Sequence, residues 1–210
     1  MEKVRHIIFD LGEVIINVNP GAVREMMASN GIGNVDELHE QLVAKGVYHQ
    51  LETGMISPDD FRAAIKEIID KPLTDTEIDR AWNAMLLDIP PERVKFMTRL
   101  KSRYQLYLLS NTNHIHWLSY DRYFQDHFDY PGINTFFTHC WYSYLMGVRK
   151  PDPEIFRMVM KEGGFRPGEV AFVDDLEENI ESAATQGMIP VHLPPGKEIM
   201  ELFDQDLNLI

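Results

Sequence analysis

Short runs of consecutive apolar residues recur along the chain and predict buried strands. Val4–Phe9, Gln105–Leu109 and Val170–Val173 are each too short for a helix, and each gives way to polar residues. Phe137–Tyr142 and Met188–Leu193 fit the same pattern. Between these runs the apolar spacing becomes helical. From Pro91 to Arg103, Val94, Met97 and Leu100 share one face, behind a proline suited to a first turn. Pro153–Gly163 and Leu176–Gly187 both end at glycine, as helices often do. Strands alternating with helices predict an α/β fold with a mostly parallel sheet and right-handed crossovers.

The stretch from Asn17 to Pro90 breaks this alternation. It contains no convincing strand, but helical patterns lie near Ala22–Ser29, Val35–Ala44, Pro58–Ile69 and Thr74–Leu87. Ser57-Pro58 followed by Asp59 and Asp60 is a start signal for the third of these. The chain therefore makes one strand, leaves for a helical insertion, and returns near Pro90-Pro91 to complete a Rossmann-like core. The expected division is a discontinuous α/β core, residues 1–16 and 91–210, with a helical unit at 17–90.

Composition narrows the setting. The 210 residues suit one compact unit, or a core with one sizeable insertion. No apolar run is long enough to span a bilayer, and the opening Met-Glu-Lys-Val-Arg-His does not read as a signal peptide. A single cysteine, Cys140, excludes an internal disulfide framework and points to a cytoplasmic protein. Among Phe137, Trp141 and Tyr142 it reads as a buried structural thiol. The net charge of −13 argues against nucleic-acid and membrane partners. It also means that any anion site must be built locally, from a lysine, backbone N–H groups or a metal.

Ligands of open parallel sheets bind beyond the carboxyl ends of the strands. Here those ends read Phe9-Asp10, Leu109-Ser110-Asn111 and Val173-Asp174-Asp175. Three carboxylates converging in a cleft disfavour joint ionisation, and a divalent cation with oxygen ligands, Mg²⁺ rather than zinc, resolves the conflict. Alone, Asp174-Asp175 would equally serve to cap the helix that follows, and Ser110-Asn111 would serve as a turn. At the start of a helix, however, hydroxyl and N–H groups can hold phosphate oxygens. Lys150, just before another helix, is by default a solvated surface lysine. Brought to the cleft, it would offset the repulsion between an anionic nucleophile and an anionic ester.

Taken together, the four segments resemble the haloacid dehalogenase superfamily of phosphohydrolases. Ile7-Ile8-Phe9-Asp10-Leu11-Gly12 resembles its first motif, Leu108-Leu109-Ser110-Asn111 its second, Arg149-Lys150-Pro151-Asp152-Pro153 its third, and Phe172-Val173-Asp174-Asp175 its fourth. Each motif is weak singly, but four in order over nearly the whole chain are strong. The insertion after the first motif is similar to the family's helical cap. Asp10-Leu11-Gly12, Ser110-Asn111-Thr112-Asn113 and Glu52-x-Gly54 are similar to the bacterial α-D-glucose-1-phosphate phosphatases of that family. The resemblance implies a phosphomonoester hydrolase acting on a small phosphorylated metabolite through an aspartyl-phosphate on Asp10. It implies that Ser110, the N–H of Asn111 and Lys150 hold the phosphoryl group. It further implies that Asp10, the Gly12 carbonyl, Asp174 and Asp175 bind Mg²⁺. Two other readings share these residues: a non-catalytic phospho-ligand-binding or regulatory protein, and a 2-haloacid dehalogenase, which needs no metal.

One position departs from the family. Its second aspartate, two residues after the nucleophile, protonates the leaving group, and here that position is Gly12. General acid–base help is typically worth ~10²–10⁴ in rate, or about 3–5 kcal/mol. Glu13, His114 and His116 are the nearby replacement candidates, against the commoner reading of each as an ordinary surface or packed side chain. Alternatively the substrate leaves easily, as a sugar 1-phosphate or acyl phosphate does. Tyr48, His49 and Glu52, in a loop-like stretch of the insertion, are candidates for contacting its body, while Trp82 reads as the insertion's own core.

Overall fold

The computed structural model describes residues 4–69 and 71–210. Residues 1–3 and 70, part of the opening stretch and of the two segments expected above, lie outside the described residues. The chain opens with β1 (His6–Phe9). A helical insertion follows: α1 (Gly21–Ser29), α2 (Val35–Ala44), α3 (Val47–Glu52), α4 (Pro58–Ile68) and α5 (Asp75–Asn83). The remainder alternates: α6 (Pro91–Leu100), β2 (Gln105–Ser110), α7 (His114–His127), α8 (Ile133–Phe136), β3 (His139–Tyr142), α9 (Ser143–Met146), α10 (Pro153–Glu162), β4 (Val170–Asp174), α11 (Glu177–Thr185) and β5 (Ile189–His192).

The five strands form one sheet in the order β3-β2-β1-β4-β5, parallel throughout, as the α/β pattern predicts. β1 is central because it is buried on both faces. Ile7 and Phe9 enter one apolar cluster with α6 and α7, while Ile8 enters the opposite cluster with α10 and α11. After β3 the chain crosses to the other side of β1 to lay down β4. The topological switch point therefore lies between β1 and β4, where Asp10 and Asp174 stand at the strand ends.

The insertion buries its own cluster, including Met27, Leu38, Leu42, Phe61, Ile78 and Trp82, and Ile115 of α7 joins it from below. Two of its helices start as the sequence predicts. Ser57 and Thr74 each form a reciprocal capping box, with Asp60 and Glu77. The chain enters and leaves through a short antiparallel strap. Leu87 N–H bonds Asn17 C=O, Asn19 N–H bonds Met85 C=O, and Val18 bridges Leu86. The stretch around Tyr48, expected as a loop, is instead α3. Gly46 adopts a left-handed φ of 66° that turns the chain directly from α2 into it, and six residues carry too short a pattern to be read. Among the described residues no helix is long and apolar enough to cross a membrane.

Candidate active site

The site lies at the carboxyl edge of the sheet and is organised around a buried lysine. Lys150, only 1% exposed, extends its ammonium to Asp10 Oδ1 (2.5 Å), Asp174 Oδ2 (2.7 Å) and the carbonyl of Leu109 (3.1 Å). Three strand ends thus converge on one cation, because β2, β1 and β4 are neighbours. A solvated surface lysine is excluded. Asn111 fixes the lysine from the side, donating to its carbonyl and accepting from its N–H, both at 2.9 Å. The Asn111 side chain, which the sequence does not single out, is therefore a clamp on the Lys150 peptide. Ser110 is buried at the end of β2. Ser143, also unforeseen, holds the next residue by accepting from Thr112 N–H (2.9 Å) and donating to its carbonyl (3.0 Å).

Asp174 is fully buried and its oxygens are well occupied. Oδ1 accepts from Leu176 N–H (2.9 Å), and Asn179 donates to both oxygens, at 2.9 and 3.1 Å. Asn179 sits in the first turn of α11, five residues on. An asparagine facing back from a first turn is the only sequence signal of its role. Asp175 is half-buried, and His192 Nε2 bonds its backbone carbonyl at 3.0 Å. Asp10, Asp174 and Asp175 each bring a carboxylate oxygen to within 4.8 Å of the others.

Burial raises the Asp10 carboxyl to about 7, opposed chiefly by the Lys150 charge. Burial likewise raises Asp175, assisted by the negative charge of Asp174. For Lys150, burial works downward, but the facing carboxylates of Asp10 and Asp174 outweigh it and leave the ammonium strengthened. One ammonium among three carboxylates leaves the cluster short of positive charge. A hard divalent cation with oxygen ligands fits that donor set. Asp10 and Asp175 have coordination capacity to spare, whereas Asp174 is largely committed to Lys150 and Asn179.

The three acid–base candidates fall in different settings. Glu13 has a left-handed φ of 56°, and its Oε1 accepts from Val18 N–H at 2.7 Å, stapling the strap. Its charge reaches the cluster by raising Asp175. His114 is exposed, and its ring stacks on Trp117. His116 is 7% exposed, stacked on Trp82 with centroids 4.8 Å apart, and its Nε2 lies 3.2 Å from the Trp82 carbonyl. Burial lowers it to about 4, so it is neutral near pH 7. Gly12 contributes a carbonyl that accepts from Val14 N–H at 2.6 Å and still has a second lone pair. In the insertion, Tyr48 stacks on Trp82 and Glu52 pairs with Arg149 at 2.7 Å, next to Lys150 in sequence. His49 is exposed on α3. The Cys140 thiol, half-buried, is pushed up to about 12 by burial, consistent with a structural residue.

The chain as a whole is similar to known proteins. The D-ribitol-5-phosphate phosphatase of Bacteroides thetaiotaomicron is 28% identical over 179 residues, which is 84% of this chain and 85% of that protein. The sesquiterpene phosphatase astK of Aspergillus oryzae is 28% identical over 189 residues, 89% of this chain and 88% of that protein. A haloacid dehalogenase family enzyme from Bacteroides thetaiotaomicron, solved with magnesium and inorganic phosphate, superposes with a TM-score of 0.87. It is 35% identical, covering 96% of this chain and 100% of that one. Residues 4–187 match the family model described as haloacid dehalogenase-like hydrolase. With the sheet, the switch point and the buried lysine, that match makes the chain a member of the haloacid dehalogenase-like hydrolases.

Proposed function

We propose that the protein is a Mg²⁺-dependent phosphomonoester hydrolase in which Asp10 is the nucleophile. The observation that carries this reading is the Lys150 ammonium held between Asp10 and Asp174 at the switch point. A carboxylate that attacks phosphorus must approach an anionic ester, and a fixed, dehydrated cation beside it lowers that barrier. Asp10 forms the new oxygen–phosphorus bond as the ester oxygen leaves, and water then releases phosphate from the aspartyl-phosphate. Ser110 and the Asn111 N–H hold the phosphoryl oxygens, and Asn111's side chain keeps Lys150 in register. Asp10, Asp175 and the Gly12 carbonyl, with Asp174 beside them, would hold Mg²⁺, which supplies charge compensation for the phosphoryl oxygens. The magnesium and phosphate present in the neighbour's structure support this reading.

In this reading residues 17–90 form a cap that closes over the ester's body. The neutral, carbonyl-bonded His116 serves to seat the cap on the core. Glu13 serves the strap, and His114 stacks at the surface. With no acid at Gly12, the preferred ester has a leaving group that needs little protonation. A sugar 1-phosphate meets that requirement, but so do other activated esters. The named relatives act on a polyol phosphate and a sesquiterpene, so the phosphate end is common while the body differs.

The test is phosphate release from a panel of phosphate esters and 2-haloacids, with Mg²⁺ and with EDTA. The expected result is phosphate release that vanishes with EDTA and in Asp10→Asn. Halide release in EDTA would establish the dehalogenase instead. Ester binding without turnover would establish a non-catalytic binder.

A further inference from the structure

The helical insertion lines a half-open cavity of about 510 Å³. That size is typical of small-molecule sites, which span roughly 300–1,000 Å³. Its wall draws on every helix of the insertion: Met27 of α1, Leu38 and Leu42 of α2, Tyr48 of α3, Phe61 of α4 and Trp82 of α5. The Tyr48 and Trp82 rings lie parallel, 1° apart in tilt and 5.3 Å between centroids.

The polar side chains on this wall are few: Arg24, His39, Glu52 and the Tyr48 hydroxyl. Glu52 pairs with Arg149, Arg24 with Asp36 at 2.8 Å, and His39 Nδ1 lies 3.2 Å from Tyr48 Oη. Trp82 Nε1 is buried with no hydrogen-bond partner, and Glu52 Oε2, though ion-paired with Arg149, also accepts no hydrogen bond. The rest of the wall is mainly aliphatic and aromatic. Hydroxyls of a sugar that face this apolar part of the wall would lose water without a partner, at a cost of roughly 1–3 kcal/mol for each left unpaired.

The reacting groups themselves do not line the cavity, and its wall is linked to them through neighbouring residues. Pro20, Gly21 and Met85 form part of its wall, and Asn19 N–H bonds the Met85 carbonyl. The preceding Val18 is bonded to Glu13 and lies 3.5 Å from where a side chain on Gly12 would begin. On the other side, Glu52 reaches Arg149, beside Lys150. The wall is thus linked by these contacts to both segments that carry the reacting groups.

Two independent features then limit the substrate. The cavity favours an apolar body with a flat ring, and Gly12 favours an oxygen that departs without a proton. A phenolic oxygen, with a pKa of about 10, leaves far more readily than an alkyl alkoxide. We infer that the substrate is an aryl phosphate whose ring system occupies the cap cavity. The inference rests on the phosphatase reading and adds the leaving group's identity. In the step itself, the Asp10 oxygen–phosphorus bond forms and the phosphorus–aryl oxygen bond breaks. The electron pair departs on the phenolate, which takes its proton from solvent, and water cleaves the aspartyl-phosphate to aspartate and phosphate.

The experiment compares kcat/KM of the wild-type chain with Mg²⁺ on four probes. They are acetyl phosphate, phenyl phosphate, 2-naphthyl phosphate and α-D-glucose 1-phosphate. Phenyl and naphthyl esters have similar leaving groups and differ by one buried ring. The expected advantage of naphthyl over phenyl is at least about tenfold, the effect of added apolar contact in a fitted pocket. The expected advantage over glucose 1-phosphate is larger still. Leu38→Trp, which fills the cavity, should bring the naphthyl-to-phenyl ratio close to one. Acetyl phosphate turnover with a wild-type naphthyl-to-phenyl ratio of one or less, or with glucose 1-phosphate preferred, overturns the aryl assignment alone. No release from any probe, acetyl phosphate included, overturns the phosphatase reading and this inference with it. The wild-type ratio decides the matter if Leu38→Trp does not fold.

Discussion

Lys150 Nζ lies 2.5 Å from Asp10 Oδ1, although the two residues are 140 positions apart in sequence. The same ammonium also serves Asp174, so its loss strands two carboxylates in the protein interior. Lys150→Met should abolish turnover and, in metal-free buffer, lower the unfolding free energy by about 3–5 kcal/mol, the usual cost of breaking a buried ion pair. Urea denaturation followed by circular dichroism reads the second effect. Unchanged stability would mean that the lysine does not neutralise the site.

Gly12 has room for a side chain. A Cβ there would meet Val18 at 3.5 Å and Asp10 Oδ2 at 3.9 Å, ordinary contact distances. Gly12→Asp should therefore fold and supply the missing general acid. Its kcat on alkyl phosphates should rise by ~10²-fold or more, with little change for acetyl phosphate. Equal effects on both substrates would show that leaving-group protonation is not what Gly12 lacks.

His116 links acidity to stability. Its pKa is lowered to about 4 in the folded chain by burial, while in the unfolded chain it stays near the ordinary imidazole value of about 6.5. Between those values the unfolded chain binds more protons, so this contribution is complete above pH 6.5 and is lost as pH falls toward 4. Between pH 7 and pH 5 it amounts to about 2 kcal/mol. His116→Gln, which cannot titrate but can donate to the Trp82 carbonyl, should shrink the stability difference between those two pH values by that amount. An unaltered difference would place the acid sensitivity elsewhere.

Gly54 joins the insertion to the core at close quarters. Its φ is 67°, and a Cβ would collide with the Tyr144 carbonyl. Gly54→Ala should cost about 1–3 kcal/mol, from left-handed strain and the forced separation of the two backbones. Thermal unfolding measures it. A melting temperature equal to that of the wild type would contradict the close approach.

Much of this site was legible in the sequence because strand ends in a parallel sheet are predictable positions. Asp10, Ser110 and Asp174 each follow an apolar run, and the alternation puts those ends on one edge of a parallel sheet, while the strand order that makes them neighbours comes from the structure. Lys150 was legible only through resemblance, since nothing local distinguishes a buried lysine from a solvated one. Asn111's side-chain clamp, Ser143 and Asn179 were not legible as supports. Their partners lie across loops, and polar residues near helix starts have commoner uses as caps. Helix α3 escaped because six residues carry too little periodicity. The cavity in the insertion arises from how five helices pack, which no single helix encodes.

Trapping the covalent intermediate tests the role of Asp10 most directly. The protein is quenched in acid during turnover of a phosphate ester with Mg²⁺, digested, and its peptides weighed, with and without borohydride treatment. The expected result is a phosphoryl group on the peptide containing Asp10, with borohydride converting that phosphorylated aspartate to homoserine. Steady turnover with no label on Asp10, or undiminished turnover in Asp10→Asn, would contradict the account.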